Sequence, residues 1–438
     1  MGLLEKNRLL GADNYYETTV AREPASAPLQ DNLHADALVI GGGLAGLSAA
    51  IELAQRGMQV VVLEAQRVCE GPSGRNGGQV IAGLACGQSV YEQQFGMDTA
   101  RAVWDVSVQA VELVKQRIAQ FDIDCDPVWS YLTAADSPRK QRALADDVAH
   151  MRKHYGVDMP WYTGHSLKQQ INSPRFLAAA ADPYSGHINP LRYGLGLARA
   201  ARQLGVRIHE HSPVTGLTQP LSGSAQWQAQ TAQGSVTAAW GVIAGNCALA
   251  WEGPRVARRL HSRIMPVGTY IIATEPVPEA LCEQLLPSNA AVCDNNFILD
   301  YFRFARDRRM LFGGRVSYTT GMPRGLPELM RQRMVQTFPA LRDAGIAHCW
   351  GGFVDISMNR APDIGRLAPN LFYLQGFSGH GLALTGMAGQ LVAEALHGTA
   401  SRFDLLAQMP HRAFPGGAGL RMPLLVMGSL YHRLRDIL

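Results

Sequence analysis

The chain has 438 residues, about three times the commonest domain size, so two hydrophobic cores are expected. Its 47% hydrophobic and 17% charged content describes a folded chain and excludes a disordered or fibrous one. A net charge of +4 on 40 basic and 36 acidic side chains argues against the clustered basic face that nucleic acid requires.

The first twenty residues lack a positive segment followed by an apolar one, so no secretory signal is expected. Residues 37–54 approach membrane-span length, but Gly41, Gly42, Gly43, Gly46 and Glu52 interrupt them, and no integral membrane segment is expected. The cysteines are odd in number, scattered and without a CxxC pair. They read as separate reduced thiols of a cytoplasmic protein, not as disulfides or a zinc site.

Asp36-Ala-Leu-Val-Ile40 is an apolar run suited to a buried parallel strand, and it leads into Gly41-Gly-Gly43-Leu-Ala-Gly46. Residues 47–56 are helix formers, closed by Gly57, and residues 58–64 form a second strand ending on Glu64. Together these make a complete βαβ dinucleotide fingerprint in its required context. Gly41 permits the tight turn, Gly43 lets backbone approach a pyrophosphate, and Gly46 allows close helix–strand packing. Leu44 and Ala45 open the helix whose free N–H groups face the phosphates. Glu64, followed by Ala65, is placed to accept hydrogen bonds from an adenosine ribose.

The polar, glycine-rich stretch that follows, with Ser73, Gly74, Arg75, Asn76, Gly77, Gly78 and Gln79, suits a loop whose backbone lies against a ligand. Residues 190–204 read as a helix, 206–211 as a strand and 236–244 as strands running toward Gly245. His209 and His211 share a strand face but lack a partner at metal-ligand spacing, so no metal site is expected. The alternating run 297–304 sets Tyr301 and Arg303 on one face and Phe302 and Phe304 on the other. Arg303 is then a candidate carboxylate anchor with Tyr301 orienting the substrate; alternatively it joins the exposed Arg306, Arg308 and Arg309. Arg360 is a second carboxylate candidate. Residues 371–376 read as a strand that turns through Gly376, Phe377, Ser378, Gly379, His380 and Gly381 into a helix over 383–397. That turn aims a second positive helix end at the site, where it would stabilise charge on a reduced flavin, and His380 is a flavin contact or a structural histidine.

At these residues the sequence resembles the FAD-dependent amine and amino-acid oxidases of the D-amino-acid-oxidase/glycine-oxidase superfamily. Within it, the likeness points to the bacterial branch acting on γ-glutamylputrescine. The resemblance is carried by Val39-Ile-Gly-Gly-Gly-Leu-Ala-Gly-Leu47, Ser73-Gly-Arg-Asn-Gly-Gly-Gln79, Leu299-Asp-Tyr-Phe-Arg303, Leu311-Phe-Gly-Gly314, Trp350-Gly-Gly352, Tyr373-Leu-Gln-Gly-Phe-Ser-Gly-His-Gly381 and Phe414-Pro-Gly-Gly417. It implies an α/β fold with a Rossmann-like FAD-binding domain over 34–90, 185–255 and 345–400. A discontinuous α+β substrate domain on a mixed β-sheet would span 91–184 and 256–344, with a C-terminal extension over 401–438. It also implies that Val214 meets the adenine through its backbone. Some relatives attach the flavin through a Cys in the strand near 355–359 or a His in the loop after the second strand. Neither residue stands there, so the expectation is dissociable, non-covalent FAD.

The implied reaction is oxidation of a small-molecule amine, such as γ-glutamylputrescine, to an aldehyde and ammonia, with molecular oxygen or another acceptor taking the electrons. Trp129, Tyr131, Trp161, Tyr184 and Phe353 are candidate apolar walls or ordinary core. No lysine follows Lys168, so any cation that assists reoxidation must be Arg or His. The alternatives are a D-amino-acid or N-methyl-amino-acid oxidase or dehydrogenase, and a non-catalytic FAD-binding protein. Residues 411–438 read as a terminal helix packed on its own domain, or as a membrane-surface or partner helix.

Overall fold

The structure, a computed structural model, describes residues 2–219, 226–296, 299–317 and 322–415. The readings made for residues 416–438, for Phe297 and for the glycines of Phe414-Pro-Gly-Gly417 lie outside these.

Two large sheets organise the chain. In the first the order is Asp363–Ala368, Leu371–Gln375, Ser235–Ile243, Asn32–Ile40, Val60–Leu63 and Arg207–His209. Of these six, all but the edge strand Asp363–Ala368 run parallel, and Trp227–Gln230 and Gly216–Thr218 add an antiparallel branch on Ser235–Ile243. Parallel strands must be covered on both faces, and the valines, isoleucines and leucines of 37–40 and 60–63 are accordingly buried. The helix Leu44–Gln55 lies against Pro190–Gln203 and Gly381–Leu396. The crossing is close because Gly389 offers no side chain: a Cβ there would stand 2.5 Å from the backbone N of Ala49. Glu52 pairs with the buried Arg117 at 2.9 Å, joining the fingerprint helix to Met97–Gln120.

The second sheet is mixed and runs Ile346–Ser357, Ile264–Thr274, Met310–Ser317, Tyr301–Phe304, Ala291–Asp294, Tyr131–Ala135, Ala178–Ala181 and Trp161–Thr163. The expected alternation holds at its centre. Phe302 and Phe304 enter a core with Phe312, Met330, Met334 and Phe338, while Tyr301 and Arg303 face the opposite way. The domain boundary expected at 345 falls too early. Ile346–Ser357 pairs along its length with Ile264–Thr274 and therefore belongs to the second sheet. It ends beside the turn 376–381 and so connects the two halves.

Residues 2–31, for which no element was expected, include the helices Leu3–Leu10 and Tyr15–Thr18. They form a strap across both halves. Asp13 accepts hydrogen bonds from Cys349 N and pairs with His348, and Tyr15 donates to Asp307. Further on, Arg22 donates to the Val68 carbonyl and Ser26 N to Glu210.

Candidate flavin site

The fingerprint glycines are sterically required. Gly41 has φ +112° and a Cβ there would stand 2.5 Å from the Ala244 carbonyl oxygen; a Cβ on Gly46 would stand 1.9 Å from that of Gly41. The helix beginning at Leu44 has no side-chain cap from Gly43, although Ser73 Oγ accepts from Leu44 N at 3.0 Å. Glu64 accepts from Gly42 N at 2.6 Å and Gln66 N at 2.8 Å, and burial raises its carboxyl pKa. Glu64 and Gly245 line a small cavity of about 90 Å³. Ala65 lies beside it, off the wall. The Val214 side chain is packed in the core with Ile40 and Leu63, and the residue lines neither cavity.

The small cavity continues into a chamber of about 320 Å³; Gly43, Ser73 and Asn246 border both. Of the candidate residues, Leu44, Ala45, Arg75, Asn76, Gly77, Gln79, Tyr301, Ser378, Gly379, His380 and Gly381 reach this wall, whereas Gly46, Gly74, Gly78 and Gly376 shape the turns behind it. Asn76 secures the loop by donating to the carbonyls of Pro72 and Ser73 and accepting from Gly78 N. His380 stands immediately before the helix Gly381–Leu396. Burial, with Arg360 as a neighbouring cation, lowers its pKa to about 4, so the imidazole is neutral at pH 7. Tyr131 and Phe353 line the chamber; Trp129, Trp161 and Tyr184 do not.

Arg303 is not a substrate anchor in this geometry. It is 4% exposed, and its guanidinium donates to Gly77 O at 2.9 Å, Ile188 O at 3.0 Å and the Tyr16 hydroxyl at 3.0 Å, with Phe304 O at 3.3 Å. It braces the flavin loop from beneath, belonging neither to the chamber wall nor to the exposed arginine cluster. Alternation gave its face correctly, but the carbonyls of the loop occupy that face before any ligand can.

Several wall residues carried no signal in the sequence reading. Leu3, Leu4 and Asn7 of the first helix border the small cavity opposite the fingerprint glycines. That helix is held by a hydrogen bond from Leu3 N to Glu252 and another from Phe353 N to Asn7 Oδ1 at 3.2 Å. Replacing Asn7 with Ala should speed loss of bound FAD by about tenfold, the effect of removing one buried hydrogen bond. Recovery of flavin fluorescence after dilution measures this, and an unchanged rate refutes it. Cys293 lines the chamber and was also missed; burial holds its thiol well above the ordinary range, so the thiolate is disfavoured.

The residues present fit FAD. The glycine cradle has no room for side chains and the helix end at Leu44 lacks a side-chain cap from Gly43. Arg75, 4% exposed, keeps Nε and Nη2 without protein partners beside the chamber, and burial lowers its pKa to about 10. Among the described residues no group of three or more His, Cys, Asp or Glu could hold a metal ion, and no helix is long and apolar enough to cross a membrane.

A Rossmann-like sheet whose fingerprint opens into a chamber walled by a second, mixed sheet defines a flavin-dependent oxidoreductase. The chain belongs to the FAD-dependent oxidoreductase (DAO) family, whose model matches residues 36–395. It is 37% identical over 423 residues to gamma-glutamylputrescine oxidoreductase of Escherichia coli (strain K12), covering 97% of this chain and 98% of that protein. It is 35% identical to the probable oxidoreductase OrdL of Haemophilus influenzae, covering 97% of each. The fold matches glycine oxidase from Geobacillus kaustophilus with a TM-score of 0.70 at 21% identity, over 84% of this chain and 95% of that one. The protein is therefore an FAD-dependent oxidoreductase acting on amines or amino acids.

Proposed function

We propose that the protein oxidises a γ-glutamylated polyamine, with γ-glutamylputrescine as the leading substrate, to the aldehyde and ammonia. The observation carrying this reading is the end-to-end similarity to a gamma-glutamylputrescine oxidoreductase. When bound, FAD supplies a hydride acceptor for the carbon beside the amine nitrogen. With oxygen as acceptor, the amine, O₂ and water give aldehyde, ammonia and hydrogen peroxide.

The chain's part is to bind, desolvate and orient. Ile81, Ile271, Leu299, Leu374 and Leu382 give the chamber apolar walls, which favour the neutral amine able to release hydride. Arg360 replaces Arg303 as the anchor for the γ-glutamyl carboxylate. It lines the chamber, and its backbone is held at φ +60°, a strained conformation for an arginine and one found at ligand sites. The reading also includes a cytoplasmic setting, where cysteines such as the seven free ones here stay reduced.

Anaerobic bleaching of the flavin against γ-glutamylputrescine, putrescine, D-amino acids and N-methyl amino acids tests the reading. γ-Glutamylputrescine should bleach it most efficiently; bleaching only by D-amino or N-methyl amino acids overturns it. Arg360→Ala should raise the KM for γ-glutamylputrescine by about 10- to 100-fold, the range of one charge-assisted hydrogen bond, and leave putrescine nearly unchanged. Equal effects on both would remove Arg360 from the carboxylate site.

A further inference from the structure

Arg360, the carboxylate anchor of the reading above, sits in the turn between Ile346–Ser357 and Asp363–Ala368. An arginine at φ +60° relaxes to an ordinary conformation unless its surroundings hold it there. Part of the hold is internal. Arg360 N donates to the Ser357 carbonyl at 3.1 Å, and Ala361 N donates to Asn359 Oδ1 at 3.1 Å. Ser357 Oγ donates to the Ala361 carbonyl at 2.6 Å. Two clamps then grip the turn from outside. On the flavin side, Ser357 N donates to Ser378 Oγ at 3.2 Å. There too, the Asp355 carboxylate accepts from Gly376 N and the Asp355 carbonyl from Ser378 N at 3.0 Å.

The other clamp comes from residues 409–414. Asn359 Nδ2 donates to the Pro410 carbonyl at 3.2 Å, and His411 Nε2 donates to the Pro362 carbonyl at 3.2 Å. The arginine's turn is thus held on both sides of residue 360. The clamping segment is itself well rooted. Phe403, Leu406 and Met409 are buried in the core that holds the fingerprint helix, and Asp404 pairs with Arg366 at 2.6 Å. Further on, Phe414 N donates to the Ser262 carbonyl at 2.8 Å, just before the strand Ile264–Thr274 of the second sheet. None of residues 409–414 borders the chamber or the small cavity.

We propose that Asn359 and His411 are positioning residues. They hold Arg360 on the chamber wall, and the segment 409–414 thereby selects amines that carry a carboxylate over amines that do not. This rests on Arg360 as the anchor and extends it to residues that touch neither substrate nor flavin. A guanidinium fixed in place before the substrate arrives loses less freedom on pairing than one carried by a loose turn. The clamp therefore contributes to affinity without a contact of its own. It is also separate from the flavin side: releasing Asn359 or His411 leaves Ser357 and Asp355 bonded to the turn 376–378. The cofactor stays while the anchor drifts.

Steady-state kinetics of the holoenzyme with γ-glutamylputrescine and with putrescine test the proposal. Asn359→Ala and His411→Phe should each raise the KM for γ-glutamylputrescine by about tenfold, the upper range of one hydrogen bond, with kcat and the KM for putrescine within about twofold of wild type. His411→Gln restores an amide donor and should recover most of the loss. In an Arg360→Ala background neither substitution should add to the effect, because nothing is left to position. Additive effects, or equal effects on the two amines, mark a structural role and overturn the proposal. An Arg360→Ala effect beside unaltered Asn359→Ala and His411→Phe rejects the clamp and leaves the anchor standing. An unaltered Arg360→Ala rejects both.

A second measurement needs no variant and covers one that fails to fold. The mono-butylamide of glutaric acid keeps a carboxylate, the amide and the butyl chain, and has no amine to oxidise. Its binding to the wild-type holoenzyme is read from the flavin absorbance shift. On binding, hydrogen exchange in residues 408–415 should slow by about fivefold, the low end of ordinary coupling, because a ligand that prefers the clamped anchor must in return favour the clamp. N-Butylbutanamide, which lacks the carboxylate, should leave exchange there unchanged. Binding of the acid without slowing overturns the proposal, and failure of the acid to bind removes the anchor as well.

Discussion

Arg303→Met should destabilise the protein by about 3 kcal/mol or more and weaken FAD retention, while changing the KM for γ-glutamylputrescine and for putrescine by similar factors. The carbonyls of Gly77 and Ile188 and the Tyr16 hydroxyl would each lose a donor inside the protein, at about 1–3 kcal/mol for each group left unsatisfied. Methionine fills much of the volume and supplies no donor, so the loss reports hydrogen bonding more than packing. Urea denaturation followed by flavin absorbance and by circular dichroism measures both effects. A variant of normal stability that fails only with carboxylate-bearing amines would restore Arg303 as a substrate anchor.

Gly46→Ala should produce a folded protein that is largely free of FAD. Its Cβ would stand 1.9 Å from the Gly41 carbonyl oxygen and 3.1 Å from Val39 Cγ1. Backbone cannot yield as a flexible side-chain tip can, so the helix beginning at Leu44 must shift away from the phosphate turn. Overpacking of this kind costs about 3 kcal/mol, or about 100-fold in cofactor affinity when it is confined to the bound geometry. Gly57→Ala is the control. Its φ is +84° but no atom lies within 4 Å of the new Cβ, so only about 1–2 kcal/mol of backbone strain is expected and FAD should be retained. Titration of apoprotein with FAD decides the matter, and wild-type affinity in Gly46→Ala would show that the clash is absorbed elsewhere.

The legible parts of the site were those whose parts are near in sequence. Strand, glycines, helix and Glu64 fall within about thirty residues, and each has a local reason for its type. The turn 376–381 was readable for the same reason. Arg303 shows the limit. Alternation along a strand tells which way a side chain points, whereas what it meets is set by a loop 226 residues earlier. Asp355 was read only as part of a strand without cysteine, because its partners Gly376 and Ser378 come to it through the turn of another sheet. The strap had little hydrophobic period to announce it, and its anchors are as far as 346 residues away.

That distance governs the order in which the holoenzyme can be built. Phe353, which the first helix grips, is made some 340 residues after it. Until then the phosphate-binding turn stands open on one side. The wall of the small cavity is therefore completed only once segments from opposite ends of the described fold have met.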